Sequence, residues 1–460
     1  MCLARTNAVE LRKYPFEEIR AGCESAEEYW SELIKERITL GLDVVSLAIF
    51  LFFIALFIWD RLPMATTAVL GCAVMVIAGI CNFSTAFGQF ASSTVILTIG
   101  VMIIGAAISE TGLAAAIGAW IVRVAGTSQL KLVAGTYLVS AAMSAFLTNS
   151  AVLAIFIPII MGLSAANQEI KAKNLIMPIA FGCVIGGAST LVGSTQQMTA
   201  QGLLEGVGAK TFSTFAFTPV GLILVAIGLV YCLVYGLRIG ERIWGDRADE
   251  AEYTAPSVKN YSKLKKRIMA VIFALTVVFY ITEWLPIAIT STMAAVLCII
   301  TGCITQKEAV SSVNWNIVGR LGGCLGLAKA LDAGGGTELI ASVFRRIIGT
   351  SLSPFALFCI FVLLVQVVSE FMSNSTAILI VLPIVLAIAP EMGLNAYAFA
   401  LGITLASGMT LSCPLASSTL GMSMSAGYRF KDYFKYGVFF DIIAYVTIVA
   451  LVPLIYGLAA

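Results

Sequence analysis

Ser144–Ile160 reads SAFLTNSAVLAIFIPII, and Ser369–Val385 reads SEFMSNSTAILIVLPIV. Seven of the seventeen aligned positions are identical, among them the asparagine, the serine after it and the proline. Two further matches lie at nearly the same spacing. Ile108–Leu113 aligns with Leu331–Gly336, which sets Gly112 on Gly335, and Leu191–Ser194 aligns with Pro414–Ser417. The offsets are 225, 223 and 223 residues. The chain is therefore two tandem repeats, and whether they run parallel or inverted depends on how many membrane spans separate equivalent points.

Each copy sets amide and hydroxyl side chains inside an apolar stretch. Thr148, Asn149 and Ser150 fall between Ala141–Leu147 and Ala151–Ile160; Ser373, Asn374, Ser375 and Thr376 fall between Phe355–Val368 and Ala377–Ile388. In hydrocarbon such groups need partners within the protein or a water-filled cavity, and paired breaks in two halves point to a transporter's binding site. Asn or Ser ahead of an apolar run is also a helix-start signal, which predicts new helices near Ser150 and Ser375 and a hairpin tip before each. A helix N-terminus attracts anions without any lysine or arginine. Two such tips facing each other would hold an anion with a charged group at each end. Gly186–Gln197 and Ser407–Thr419 form a second pair of breaks, rich in Gly, Ser, Thr and Pro. Unwound backbone there would free carbonyl oxygens for a hard cation such as Na⁺, although small-residue helix packing also accounts for many single Ser and Gly residues.

Of the 460 residues, 59% are hydrophobic and 12% charged, with a mean hydropathy of +0.96. A water-soluble fold of this composition would lack the polar residues to cover its surface. Continuous apolar runs such as Val44–Trp59, Pro63–Ile80, Val95–Ile117 and Pro219–Leu237 suit spanning helices of about 20 residues and exclude the short alternating segments of a membrane β-barrel. The expectation is an all-α polytopic membrane protein of roughly ten to twelve apolar segments.

Charge sits mainly outside these runs. Residues 1–37 mix Arg5, Arg12, Lys13, Arg20, Lys35 and Arg37 with glutamates, and Pro15–Arg37 suits either an amphipathic surface helix or a solvated segment. Arg238–Arg267 holds eight of the 28 basic residues. The positive-inside rule predicts that both segments are cytoplasmic, while interleaved acidic residues argue against nucleic acid as a partner. The expected organisation is a cytoplasmic N-terminal segment (1–37), a first half (38–237), a basic linker (238–267) and a second half (268–460). The eleven cysteines form no CxxC pair and there is no histidine, so neither a zinc site nor the commonest general base is suggested. Cys72, Cys183, Cys232, Cys298 and Cys359 read as small apolar residues. Glu370, opposite Ala145 in the repeat, suits a proton or cation site or a tie from hairpin to neighbour. Asp43, Glu110, Asp432 and Asp441 are expected near the membrane interfaces, and Trp59, Trp284 and Trp315 in an aromatic belt.

At the paired motifs the sequence resembles the divalent anion/sodium symporter family, carriers of dicarboxylates, citrate and sulfate. The family's Ser-Asn-Thr triplet appears as Thr148-Asn149-Ser150 and Ser373-Asn374-Ser375, followed by Pro158-Ile159 and Pro383-Ile384; Glu370-Phe371, Leu325–Leu331 and Tyr428–Gly437 also match. The resemblance implies eleven spans in two inverted repeats with two re-entrant hairpins, a homodimer, and a transport domain that slides against a scaffold. It implies six spans between the two cytoplasmic segments. It implies substrate contacts from Asn149, Ser150, Asn374 and Ser375, with Ser194 and Ser417 beside them. One Na⁺ site is implied at Ser144, Thr148, Asn149 and Gly193, and a second at Ser369, Met372, Asn374 and Ala416. Where the family often has Pro-Pro-Asn, this chain has Thr195-Gln196-Gln197 and Ser418-Thr419-Leu420.

The function expected is secondary active transport of a small divalent organic anion, such as succinate or malate, across the plasma membrane, coupled to Na⁺ and with no cofactor. Two Na⁺ would offset two negative charges in a site expected to lack lysine and arginine. The alternatives are a carrier of sulfate or another inorganic oxyanion, a Na⁺-independent exchanger and, with less support, a channel. An enzyme is disfavoured because no nucleophile–base pair or metal cluster appears.

Overall fold

The computed structural model describes residues 41–57, 62–113, 128–166, 170–244, 262–340, 352–390, 392–414 and 416–459, with 116, 117, 123 and 342. Residues 1–37, Trp59 and most of the basic linker lie outside the described residues. The described chain is helical without strands, apart from one isolated bridge between Leu394 and Ala459.

The first half runs through α1 (Gly41–Phe57), α2 (Met64–Ile77), α3 (Ser93–Glu110), α4 (Gln129–Ser144), α5 (Asn149–Ala166), α6 (Ala172–Gly187), α7 (Thr195–Gly206) and α8 (Thr218–Tyr231). The last continues through a π turn, Cys232–Gly236, to Trp244. The second half runs through α9 (Lys263–Thr282), α10 (Ile287–Ile300), α11 (Gln306–Ser312), α12 (Trp315–Ala333), α13 (Pro354–Phe371), α14 (Asn374–Ile388), α15 (Ala396–Gly408), α16 (Ser418–Ser423) and α17 (Phe430–Tyr456). Phe83–Glu110, Thr218–Trp244, α13 and α17 are each long and apolar enough to cross a membrane.

The repeat read from the sequence is visible in how helices stop. Gly79 and Gly302 end α2 and α10, and Gly112 and Gly335 end α3 and α12; all four have φ between 68° and 78°. That left-handed conformation is open to glycine without a Cβ penalty and is the usual way to close a helix C-terminus. Each pair is 223 residues apart, the offset found from the motifs. Pro158 and Pro383 likewise interrupt α5 and α14 at matching positions.

The halves are interlocked rather than laid side by side. α2 packs on α12, and α3 on α10, so each half completes the other. At one crossing a Cβ on Gly100 would fall 2.9 Å from Ser291; at the equivalent crossing a Cβ on Gly323 would fall 2.8 Å from that of Ala68. These contacts are the same contact repeated about an internal two-fold axis. Small residues at such crossings let helix backbones approach where lipid supplies no hydrophobic drive. Gly100→Ala and Gly323→Ala are each expected to destabilise the protein by about 1–3 kcal/mol through overpacking, and by similar amounts. Gly206→Ala, with open space at its Cβ, is the control in thermal unfolding of the detergent-solubilised protein.

The apolar surface follows the bilayer. On α17, Phe439, Ile442, Ile443 and Val446 face outward, while Tyr433, Tyr436, Phe440, Ala444 and Ile448 are buried. α6 is buried along its whole length and α15 over nearly all of it, so the two helices that lead into the second breaks form the centre of the molecule. Trp284 and Trp315 are exposed, as a belt position requires. Asp432 and Asp441 are both buried, so neither has the solvated setting expected of an interfacial carboxylate. Asp432 is used by the start of its own helix, accepting from Arg429 N at 2.8 Å. Asp441 lies on the buried face of α17 and is used by the second break.

Candidate functional site

Both tips form where the sequence places them. α4 ends at Ser144 and α5 starts at Asn149; α13 ends at Phe371 and α14 starts at Asn374. Ser373 caps α14, its hydroxyl accepting from Thr376 N at 3.3 Å. The Thr148 carbonyl accepts from Ala151 N at 3.0 Å and Val152 N at 3.2 Å, which leaves its hydroxyl for the cavity described below.

The second breaks are unwound. Residues 188–194 separate α6 from α7, and 409–417 separate α15 from α16. Released backbone groups must find other partners. In the first half Leu191 N donates to Thr214 O at 2.9 Å, the Thr218 hydroxyl donates to Ser189 O at 2.8 Å, and the Thr190 hydroxyl donates to Ala145 O. In the second half the carboxylate of Asp441 serves instead, accepting from Leu411 N at 2.8 Å and Ser412 N at 3.0 Å. Gln366 donates to both Asp441 O at 2.9 Å and Met409 O at 3.1 Å. Glu370 stands beside Ser369 on α13, with one carboxylate oxygen buried and without a hydrogen-bond partner among the described residues.

Each tip asparagine is held against the break of its own half. One end of the Asn149 amide lies 2.7 Å from Ser144 Oγ, 3.1 Å from Gly193 O and 3.2 Å from Cys183 O, with Ser194 Oγ 3.2 Å from the other end. One end of the Asn374 amide lies 3.0 Å from Ser369 Oγ, 3.2 Å from Ser407 O and 2.9 Å from Ala416 O. Carbonyls only accept, so hydrogen-bond bookkeeping assigns the NH₂ group to these ends. With the amide turned over, its oxygen joins the same neutral oxygens, a convergence suited to a hard monovalent cation. Among the described residues no cluster of three or more His, Cys, Asp or Glu is present to hold a metal. Thus Ser144, Asn149 and Gly193 come together, as do Ser369, Asn374 and Ala416; no hydrogen bond among the described residues joins Met372 to the second group. The approach needs small residues, since a Cβ on Gly187 would stand 2.8 Å from Ser194 Oγ and one on Gly193 2.7 Å from Ser144 O.

The tip hydroxyls cross to the other half. Ser150 Oγ lies 3.0 Å from Ser418 Oγ and 3.2 Å from Thr419 Oγ1, and Ser375 Oγ lies 3.3 Å from Thr195 Oγ1. These contacts are again related by the internal axis. Beside them lies a cavity of about 810 Å³ lined, from the expected set, by Thr148, Asn149, Ser150, Gly193, Ser194, Asn374, Ser375, Ala416 and Ser417. Residues not expected from the motifs also line it: Thr195, Gln196, Ser418, Thr419 and Arg320. The first four occupy the stretch where the family has Pro-Pro-Asn, and their polar side chains were a usable signal. Arg320 corrects the expectation of a site without lysine or arginine. It belongs to α12, outside the tips and the second breaks, and comes to the cavity because α12 packs across the halves.

A family model described as "citrate transporter" matches residues 54–352. An uncharacterised transporter of Synechocystis is 21% identical over 90% of this chain and 97% of its own length. The sodium-dependent dicarboxylate transporter SdcS of Staphylococcus saprophyticus is 20% identical over 89% of this chain and 85% of its own. The crystal structure of the YdaH transporter of Alcanivorax borkumensis superposes with a TM-score of 0.61 at 11% identity, covering 89% of this chain and 98% of that one. With the paired asparagine tips and interlocked halves already in place, the chain belongs to the citrate transporter family of membrane transporters, of the divalent anion/sodium symporter type.

Proposed function

We propose that the protein is a secondary active carrier of a small divalent organic anion, a dicarboxylate such as succinate or malate, coupled to Na⁺ and acting in the plasma membrane with the N-terminal segment cytoplasmic. The observation that carries this reading is the cavity between two helix starts, Asn149-Ser150 and Asn374-Ser375, lined with hydroxyl and amide groups and with no carboxylate among its described residues. Helix N-termini stabilise negative charge, and two of them suit an anion with a group at each end. Ser194 and Ser417 contribute hydroxyls beside the tips. The two oxygen clusters, around Asn149 with Ser144 and Gly193 and around Asn374 with Ser369 and Ala416, are the proposed Na⁺ sites, with Thr148 and Met372 as their further proposed ligands. Each shares its asparagine with the substrate site, which would make the binding of ion and anion interdependent.

In this reading the repeats are inverted and the tips are re-entrant, with eleven spans in all. The breaks with their tips move together as the transporting unit of a homodimer, against a scaffold containing α2, α3, α10 and α12. The relatives named as dicarboxylate and citrate transporters support an organic anion over sulfate. The domain division at 38–237 and 268–460, joined by 238–267, follows the repeat.

The test is thermal unfolding of the purified protein with succinate, malate, citrate, 2-oxoglutarate or sulfate, each with and without Na⁺. A ligand at 100 times its Kd adds about 2.7 kcal/mol of stability. The expected result is stabilisation by a dicarboxylate that is larger with Na⁺. Stabilisation by sulfate alone would move the reading to an oxyanion carrier, and an effect indifferent to Na⁺ to an exchanger. In proteoliposomes, conductance without saturable counterflow would identify a channel.

A further inference from the structure

Among the described residues that line the cavity, Arg320 is the one that is formally charged. Its guanidinium has no hydrogen bond or ion pair among the described residues, whereas Lys329 on the same helix donates to Gly206 O and pairs with Asp332 at 3.7 Å. An arginine within a membrane helix is expensive unless it meets water, a carbonyl or an anion. Among the described residues no acidic side chain lines the cavity to serve as its counter-ion. Gln196, on the opposite break, is buried with its amide nitrogen unpartnered, so two donor side chains around this space have surplus capacity. Gly319, next to Arg320, packs against Ala65, its would-be Cβ 3.1 Å from that side chain, which keeps this turn of α12 close to α2. The two-fold axis does not duplicate the charge: the residue 223 positions earlier is Leu97.

We propose that Arg320 is a substrate-binding residue whose guanidinium receives one oxyanion group of the transported anion across the cavity from the two asparagine tips. The inference rests on the anion-carrier reading and deepens it. Guanidinium presents paired N–H groups that match both oxygens of a carboxylate, so one end of the substrate meets a fixed cation and the other does not. An anion with a third polar or charged group has a partner in this cavity for each of its groups, two at the helix starts and one at Arg320.

The experiment compares wild type, Arg320→Gln, Arg320→Lys and Asn149→Ala by thermal unfolding and equilibrium binding, with succinate and citrate as probes. Arg320→Gln is expected to weaken the better probe about tenfold or more, the factor that one charge-assisted hydrogen bond carries. Arg320→Lys, with the charge but not the fork, falls between. The ligand-free melting temperature of Arg320→Gln is expected to equal or exceed that of wild type, because a charge without a partner leaves the membrane; a merely structural arginine would lower it. If Arg320→Gln cannot be purified, Arg320→Lys decides by its affinity alone. Wild-type affinity in either arginine variant, with binding lost in Asn149→Ala, overturns the role of Arg320 and leaves the carrier reading standing. Wild-type protein that binds neither these anions nor sulfate overturns both.

Discussion

Asn149→Ala and Asn374→Ala are each expected to abolish uptake while leaving a folded, membrane-inserted protein. Each asparagine joins a tip to the unwound break of its own half, through Gly193 O and Ser194 Oγ at one site and Ser407 O and Ala416 O at the other. Alanine removes those bonds and leaves the acceptors in place. A buried polar group left without a partner costs about 1–3 kcal/mol, enough to loosen the tip but small beside the interlocked packing of α2 on α12 and α3 on α10. The function is hit harder than the fold because the same amide stands between the proposed anion site and the proposed cation site. The checks are uptake into proteoliposomes, and gel filtration of the detergent-solubilised variants. Wild-type uptake in both variants would remove the central claim, and aggregation of both would show the asparagines to be structural.

The tips were legible because polar residues inside an apolar run cannot be hidden: Asn149 and Asn374 must have partners, and a duplicated need for partners marks a site. The repeat was legible at Gly112 and Gly335 but not at Gly79 and Gly302, which end helices in the same way yet stand beside no motif. The interlock of the halves was beyond reach, since Gly100 meets Ser291 and Gly323 meets Ala68 across nearly half the chain or more. Arg320 was missed for that reason: its significance comes from the helix that α12 packs against, not from its neighbours in sequence. Asp441 is a different case. A helical period through Tyr433, Gly437, Phe440 and Ala444 already sets it on the buried face of α17, against the general tendency of carboxylates to be solvated.

Asp441 carries the second large effect. Asp441→Ala is expected to lower stability by about 2–6 kcal/mol, the cost of leaving Leu411 N and Ser412 N buried without an acceptor at about 1–3 kcal/mol each, and to stop transport in whatever protein remains folded. The break at 409–417 carries Ala416 and Ser417, two of the proposed ion and substrate positions, and its backbone near residue 411 is fixed by the two oxygens of this carboxylate. The first half makes the equivalent attachment with backbone carbonyls and hydroxyls. Asp441→Asn separates geometry from loss of the side chain. Its single oxygen can accept from one of the two N–H groups, while its NH₂ must face the other, so uptake should fall below wild type yet stay above Asp441→Ala. The order wild type, Asn, Ala in both melting temperature and uptake is the expected result. An alanine variant that melts and transports like wild type would mean that the second break holds its shape without this carboxylate.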